Sequence, residues 1–165
     1  MKILLINPPW PGKGFGTRSQ NRIIKQRADK FLQYPLYLGY TSAQLKKLGH
    51  EVFYIDSVYQ ELTEEETNKK VQEIKPDVII METTTPSIEY DFKYMTKMKE
   101  LTNAFIIATG THVSYFTKEA MEECKAIDMI IKGEYDSRIN EIFTNFKHLD
   151  KVKGLMIRKY GKITD

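Results

Sequence analysis

One cysteine, Cys124, is all the thiol chemistry that the 165 residues contain. A single thiol excludes an internal disulfide framework, a Cys-rich zinc site and an iron–sulfur site built from this chain alone, and it suits a reducing compartment such as the cytoplasm. Long apolar runs are missing too. Nothing approaches the roughly 20 apolar residues needed to cross a bilayer, and the longest hydrophobic stretches are strand-sized, so no membrane partner is expected. The N-terminal stretch Met1-Lys2-Ile3-Leu4-Leu5-Ile6-Asn7-Pro8-Pro9 meets proline too early to hold the apolar segment of a signal peptide.

Neither sign of charge dominates: 25 basic against 22 acidic residues leave a formal net charge of +3. The stretch with Arg18, Arg22, Lys25, Arg27 and Lys30 is the one candidate for tracking a phosphate backbone. A solvated loop or helix face is the preferred reading of it, and nucleic acid is not expected as a partner. Repeats and low-complexity tracts are absent. What remains, 41% hydrophobic and 28% charged residues in a length suited to one core, is the composition of an ordinary globular domain.

Apolar runs and helical stripes alternate along the chain. Lys2–Asn7, Glu51–Asp56, 77–81, 104–109 and 128–131 are continuous or nearly continuous apolar runs, the pattern of strands buried on both faces. Between them, residues 34–48 carry Leu38, Thr41, Leu45 and Leu48 on one helical face and stop at Gly49. Thr63-Glu64-Glu65-Glu66 reads as a capping box that opens a helix ending before Pro76. Pro86 suits the first turn of a helix with Ile88, Phe92 and Met95 on one face, and Thr117 is a candidate cap for a short helix through Met121 and Cys124. Ile139, Ile142, Phe143 and Phe146 make the last apolar stripe.

Strands alternating with helices imply parallel strands joined by right-handed crossovers. The expected architecture is α/β: a three-layer, doubly wound, flavodoxin-like fold with a five-stranded parallel sheet in the order 2-1-3-4-5. Residues 152–158 and Ile163, around Lys159-Tyr160-Gly161-Lys162, add the start of a C-terminal β-hairpin. The expected domain division is 1–150, with 151–165 leading onward into a longer protein.

In this fold the ligand crevice lies at the carboxyl ends of the strands, which directs attention to four loops. The first, from Pro8 to Gly16, lacks both G-x-G-x-x-G spacing and a Walker pattern, although Trp10 and Phe15 could cover a flat ligand. Glu82-Thr83-Thr84-Thr85-Pro86-Ser87 gathers four hydroxyls where a helix begins, more than one cap requires. Thr109-Gly110-Thr111-His112-Val113-Ser114 joins a permissive glycine to a lone histidine, weak evidence by itself for a metal. Gly133-Glu134-Tyr135-Asp136 combines a glycine with carboxylates at a helix start, where capping is the conservative explanation. Metal-ligand clusters, a G-x-S-x-G elbow and a thiol–histidine pair are all unreadable, and Cys124 fits a core position better than a nucleophile. The chain reads as a binder.

Taken in order, several motifs resemble the N-terminal cobalamin-binding domain of radical SAM enzymes. They are Lys2-Ile3-Leu4-Leu5-Ile6-Asn7-Pro8-Pro9, Pro35-Leu36-Tyr37-Leu38-Gly39-Tyr40 and Leu45-Lys46-Lys47-Leu48-Gly49-His50-Glu51-Val52. The series continues through Lys75-Pro76-Asp77-Val78-Ile79-Ile80, Thr109-Gly110-Thr111-His112-Val113-Ser114, Ile127-Asp128-Met129-Ile130-Ile131-Lys132-Gly133-Glu134 and Gly154-Leu155. The resemblance implies that cobalamin is held over the carboxyl edge of the sheet, beside a C-terminal radical SAM domain of the same parent chain. That further domain would hold S-adenosylmethionine and a 4Fe–4S cluster, and methyl transfer would be the usual reaction. The Cys-x-x-x-Cys-x-x-Cys run that holds such a cluster is absent here, so this chain does not perform the radical step alone.

Carried over by motif position, the resemblance places Thr83, Thr84 and Thr85 at the cofactor's nucleotide tail. Gly110, Thr111, His112 and Ser114 would line the tail or corrin edge, Gly133 and Glu134 would border the pocket, and Pro8, Pro9 and Trp10 would approach the corrin face. The Asp-x-His-x-x-Gly motif that sets a histidine beneath cobalt elsewhere is missing. Two departures stand out: Thr109-Gly110 replaces a double glycine, and Tyr135 stands where the family's Gly-Glu-Gly-Glu has its second glycine. Two other readings of the same fold stay open. One is a cofactor-free scaffold or partner-recognition domain. The other is a receiver-like signalling module, for which Thr109 and Lys132 are suggestive but Asn7-Pro8-Pro9 and Glu82-Thr83 lack the acidic residues.

Overall fold

The computed structural model describes residues 1–12, 15–19, 22–24 and 34–165, with backbone only for 15, 17 and 22–24. Lys13, Gly14, Lys25, Arg27 and Lys30 lie outside the described residues, and with them most of the basic stretch.

Burial on both faces makes the central apolar runs into strands, whereas Glu51–Asp56, expected to be buried alike, lies at the sheet edge and is only half-buried. The strands are β1 (Lys2–Asn7), β2 (Phe15–Thr17), β3 (Arg22–Ile24), β4 (Glu51–Asp56), β5 (Val78–Thr83), β6 (Phe105–Gly110), β7 (Met129–Ile131), β8 (Leu155–Lys159) and β9 (Lys162–Thr164). The helices are α1 (Leu36–Lys47), α2 (Glu64–Ile74), α3 (Ile88–Thr102), α4 (Thr111–Tyr115), α5 (Thr117–Glu123) and α6 (Ile139–Thr144). The main sheet runs β4-β1-β5-β6-β7-β8-β9. Its first five strands are parallel, and β8 and β9 continue it antiparallel. The sheet thus has seven strands where five were expected, because the terminal hairpin bonds to the free edge of β7.

Alternate residues of the strands point to opposite layers. Leu4, Ile6, Ile79, Met81 and Ile106 pack with Val71 of α2, with Phe92, Met95 and Met98 of α3, and with Met121 of α5. Ile3, Leu5, Ile80 and Ile107 pack with Leu38 and Leu45 of α1 and Ile139 and Ile142 of α6. Each fully buried Leu or Ile contributes about 1.5–3 kcal/mol by burial, which is why two apolar faces define the register so firmly. The register pairs Asn7 with Asp56 and Thr83 with Gly110, so the carboxyl ends of the central strands finish on one edge.

Local chemistry explains the element ends, with some departures from expectation. Thr63 caps α2 reciprocally: its hydroxyl accepts from the Glu66 N–H at 3.2 Å, and Glu66 Oε2 accepts from the Thr63 N–H at 2.8 Å. Pro86 sits in a 3-10 turn (Thr85–Ser87) that leads into α3. Thr117 is not a cap; its hydroxyl donates to the Ser114 carbonyl at 3.1 Å, and Phe116 holds the N-cap position. The segment after β6 turns at once into the five-residue helix α4, and β2 and β3 form a small hairpin of their own. Thr63→Ala should lower stability by about 1 kcal/mol in chemical denaturation, the usual value of an N-cap.

Candidate functional site

The carboxyl ends of β5, β6 and β7 and the start of α1 enclose a cleft of about 440 Å³. That lies within the range of about 300–1,000 Å³ typical of small-ligand sites. Gly110 and Gly133, both at positive φ (+100° and +74°), give the cleft two walls without side chains. They do so for different reasons. A Cβ on Gly110 would run into the Thr83 carbonyl oxygen and lie 2.8 Å from the Thr83 nitrogen, so this glycine is required by the neighbouring strand. A Cβ on Gly133 would meet nothing within 4 Å, so only its backbone conformation calls for glycine, and the space beside it is open. Ser114 ties the two loops together: its hydroxyl donates to the Gly110 carbonyl at 2.7 Å and accepts from the Gly133 N–H at 3.0 Å.

The inner end of the cleft is a buried polar pair. Glu82, 2% exposed on a strand otherwise apolar or Thr, accepts from the Tyr135 hydroxyl at 2.7 Å through Oε1 and from the Ser19 hydroxyl through Oε2. Burial pushes the Glu82 carboxyl above the ordinary carboxylate range, opposed by those two hydrogen bonds and by the charge of Arg18. Burial and the neighbouring Glu82 likewise push the Tyr135 hydroxyl well up. Tyr37 meets the Tyr135 ring edge-on, centroids 6.4 Å apart, and closes the side toward α1.

Beside this pair lies Arg18, also 2% exposed. Its Nε donates to Asp91 Oδ1 at 3.0 Å, and Nη1 donates to Asn7 Oδ1 and the Pro8 carbonyl, both at 2.9 Å. Nη2 donates to the Pro9 carbonyl at 3.2 Å and stands 2.9 Å from Asp91 Oδ1. The Ser87 hydroxyl donates to the other Asp91 oxygen at 2.7 Å, and Asn7 Nδ2 donates to Asp56 at 2.9 Å. Burial raises the Asp91 pKa, with Arg18 pulling the other way. The guanidinium also lies 5.2 Å from the centroid of the Trp10 ring.

The structure brings Gly110, Thr111, Ser114, Gly133 and Glu134 together around the cleft. Other residues singled out from the sequence lie elsewhere. Thr83 is fully buried, its hydroxyl donating to the Thr109 carbonyl at 2.9 Å, and Thr84 is fully buried beside it. Thr85 is exposed and within 3.1 Å of His112 Nδ1, while the His112 ring packs near Phe92 and Phe116, toward α3 and away from the cleft. Pro8 and Pro9 serve through their carbonyls, and Trp10 lies against Arg18; none of the three lines the cleft. Sequence reasoning passed over Arg18, Ser19, Tyr37, Glu82, Tyr115 and Asp136 as lining residues. Glu82 carried a readable signal, a carboxylate at the end of an apolar central strand. Arg18 did not, since a buried arginine inside a basic stretch looks like its neighbours.

Residues 29–143 match the family model described as the B12 binding domain. The chain belongs to the B12-binding domain family. Cobalamin is the cofactor that this membership assigns to the domain, as the sequence motifs implied. This B12-binding domain is 28% identical over 169 residues to an uncharacterized methyltransferase of Pyrococcus horikoshii, a match covering 99% of this chain and 34% of that protein. An anaerobic magnesium-protoporphyrin IX monomethyl ester cyclase of Synechocystis is 24% identical over 171 residues, covering 100% of this chain and 32% of its own length. Among solved structures, the radical S-adenosylmethionine methyltransferase TsrM from Kitasatospora setae, with cobalamin and a 4Fe–4S cluster bound, superimposes with a TM-score of 0.66. It is 15% identical, and the match covers 98% of this chain and 30% of TsrM. The cobalamin-dependent S-adenosylmethionine radical enzyme OxsB with aqua-cobalamin bound gives 0.67 at 15% identity, covering 99% of this chain and 21% of OxsB. At such identities the likeness establishes the fold. The domain spans about a third of the length of the P. horikoshii and Synechocystis relatives.

Two outcomes test the buried network. Arg18→Met should destabilise the domain by about 3–5 kcal/mol, because it strands Asp91 as an uncompensated buried charge; denaturant midpoints measure this. Glu82 retains its proton to higher pH folded than unfolded, so its contribution is present below the unfolded pKa and lost as pH rises through the folded one. Glu82→Gln should therefore gain in thermal stability relative to the parent sequence across the pH window that opens above the ordinary carboxylate range. A constant difference across that window would contradict the burial argument.

Proposed function

We propose that this domain holds cobalamin for a radical SAM enzyme of the methyltransferase type, with the nucleotide tail in the cleft and the corrin over the carboxyl edge of the sheet. The observation that carries the reading is the cleft itself, at the strand ends where doubly wound sheets bind ligands, walled by Gly110 and Gly133. The residues fit the group in size and chemistry. A cleft of 440 Å³ accommodates a nucleotide-sized tail and not a whole cobalamin, and the open space beside Gly133 admits it without a side chain moving. Thr111 and Ser114 supply hydroxyls along the way in.

Bound cobalamin would supply a methyl group carried on cobalt. The chain's own residues bind and orient: Ser114 fixes the spacing of the two glycine walls, and Arg18 fixes the Pro8-Pro9-Trp10 ridge beside the strand ends. Among the described residues no histidine lines the cleft, so these side chains grip the tail rather than ligate cobalt. Residues 1–150 form the cobalamin-binding unit in this reading, and 151–165 lead to the C-terminal radical SAM domain, its partner, where S-adenosylmethionine and the cluster would be held. Family membership favours this reading over the cofactor-free scaffold and the receiver-like module.

An absorbance titration with hydroxocobalamin, followed by gel filtration, tests it. Corrin absorbance near one equivalent should remain with the protein. Ser114→Val, which removes both ties, should weaken binding roughly tenfold, the equivalent of about 1.4 kcal/mol. A folded domain that retains no corrin, alone and in the longer parent chain, would overturn the proposal.

A further inference from the structure

Arg18 is the one cation in the described lining of the cleft, and every nitrogen of its guanidinium is already engaged by Asp91, Asn7, Pro8 or Pro9. It offers a ligand no free donor. What the inner end presents instead is the buried Glu82 carboxyl, an acceptor, and the cleft lining adds the Glu134 and Asp136 carboxylates. Among the described residues each Glu82 oxygen takes one hydroxyl hydrogen bond, from Tyr135 or Ser19, and about two of its four lone-pair sites are not used by them. A recess of this kind offers a phosphate no free donor and welcomes an N–H donor. The charged phosphate of a cofactor tail would stay toward the mouth, and the base would enter first.

Resting on the cobalamin-binding proposal above, we infer that Glu82 reads the lower base of the corrinoid and prefers one with an exocyclic amine, adenine in type, over dimethylbenzimidazole. An adenine amine donates to the open side of the carboxyl. Dimethylbenzimidazole turns methyl groups toward the same place and has no N–H to give once its other nitrogen carries the ribose. Sites built to hydrogen-bond a donor discriminate strongly against analogues that lack it, because the buried polar group then faces no partner. Tyr135 acts as a positioning residue: its hydroxyl and its ring, wedged against Tyr37, hold the Glu82 carboxyl toward the cleft.

The test is equilibrium dialysis of the chain against three corrinoids: cobalamin, the corresponding corrinoid with adenine as lower base, and cobinamide, which has no nucleotide. The adenine form should bind at least about tenfold more tightly than cobalamin, and cobinamide more weakly than the adenine form. Glu82→Gln should reduce the adenine preference several-fold, and Tyr135→Phe, which keeps the ring but removes the hydroxyl that holds the carboxyl, should lower it by less. Thr85→Val, outside the cleft, should leave the ratio unchanged. Equal binding of the adenine form and cobalamin, or tighter binding of cobalamin, overturns this inference and leaves the cobalamin-binding proposal standing. Equal binding of cobinamide and the adenine form also overturns it, since the base would then go unread. Failure of all three to bind the folded protein overturns both.

Discussion

The Arg18–Asp91 pair is the constraint on which the strand-end crevice depends. It joins the turn after β2 to the first turn of α3, partners 73 residues apart in sequence, and takes both charges almost wholly out of water. Such a pair holds only when every remaining polar atom finds a partner. Here Asn7 and the Pro8 and Pro9 carbonyls take the other guanidinium donors, and Ser87 takes the other Asp91 oxygen. The same bonds fix the path of the chain as it leaves β1, and with it the ridge of Pro8, Pro9 and Trp10.

This commitment shapes the cleft next to it. Because Arg18 is saturated, the hydrogen bonds that Glu82 accepts among the described residues come from the Ser19 and Tyr135 hydroxyls, and burial outweighs them and the Arg18 charge in its pKa. The cleft therefore pairs a polar, acceptor-rich inner end with walls of glycine backbone. Sheet register supplies the walls. Thr83 lies opposite Gly110, close enough that any Cβ on Gly110 would strike the Thr83 carbonyl, and Ser114 spans from there to Gly133.

Much of the fold was legible because burial leaves a pattern. Lys2–Asn7 and Glu51–Asp56 are apolar or nearly so along their whole length, and their observed bounds coincide with those read from the sequence. The Thr63 capping box was legible because two side chains three residues apart satisfy each other locally. Elements without a period were not: β2 and β3 are three residues each, and α4 is a five-residue helix started by a glycine. The site was legible in its glycines, which mark backbone needs, and less so in its polar side chains. The surplus hydroxyls at Thr83 and Thr84 suggested a ligand; both residues are buried, and the Thr83 hydroxyl bonds a carbonyl of the adjacent strand, a demand of the sheet that spacing along the chain does not reveal. Tyr135 was visible as a departure from the family's glycine. Its bond to Glu82, 53 residues away, needed three dimensions.

The central claim is that cobalamin enters between Gly110 and Gly133 on the α1 side of the sheet. Amide hydrogen exchange of the protein with and without hydroxocobalamin tests it most directly. The account predicts slowed exchange confined to residues 110–115 and 133–136 and to the start of α1. Unchanged exchange at those segments, with protection appearing instead around Thr85 and His112 on the α3 side, would contradict it.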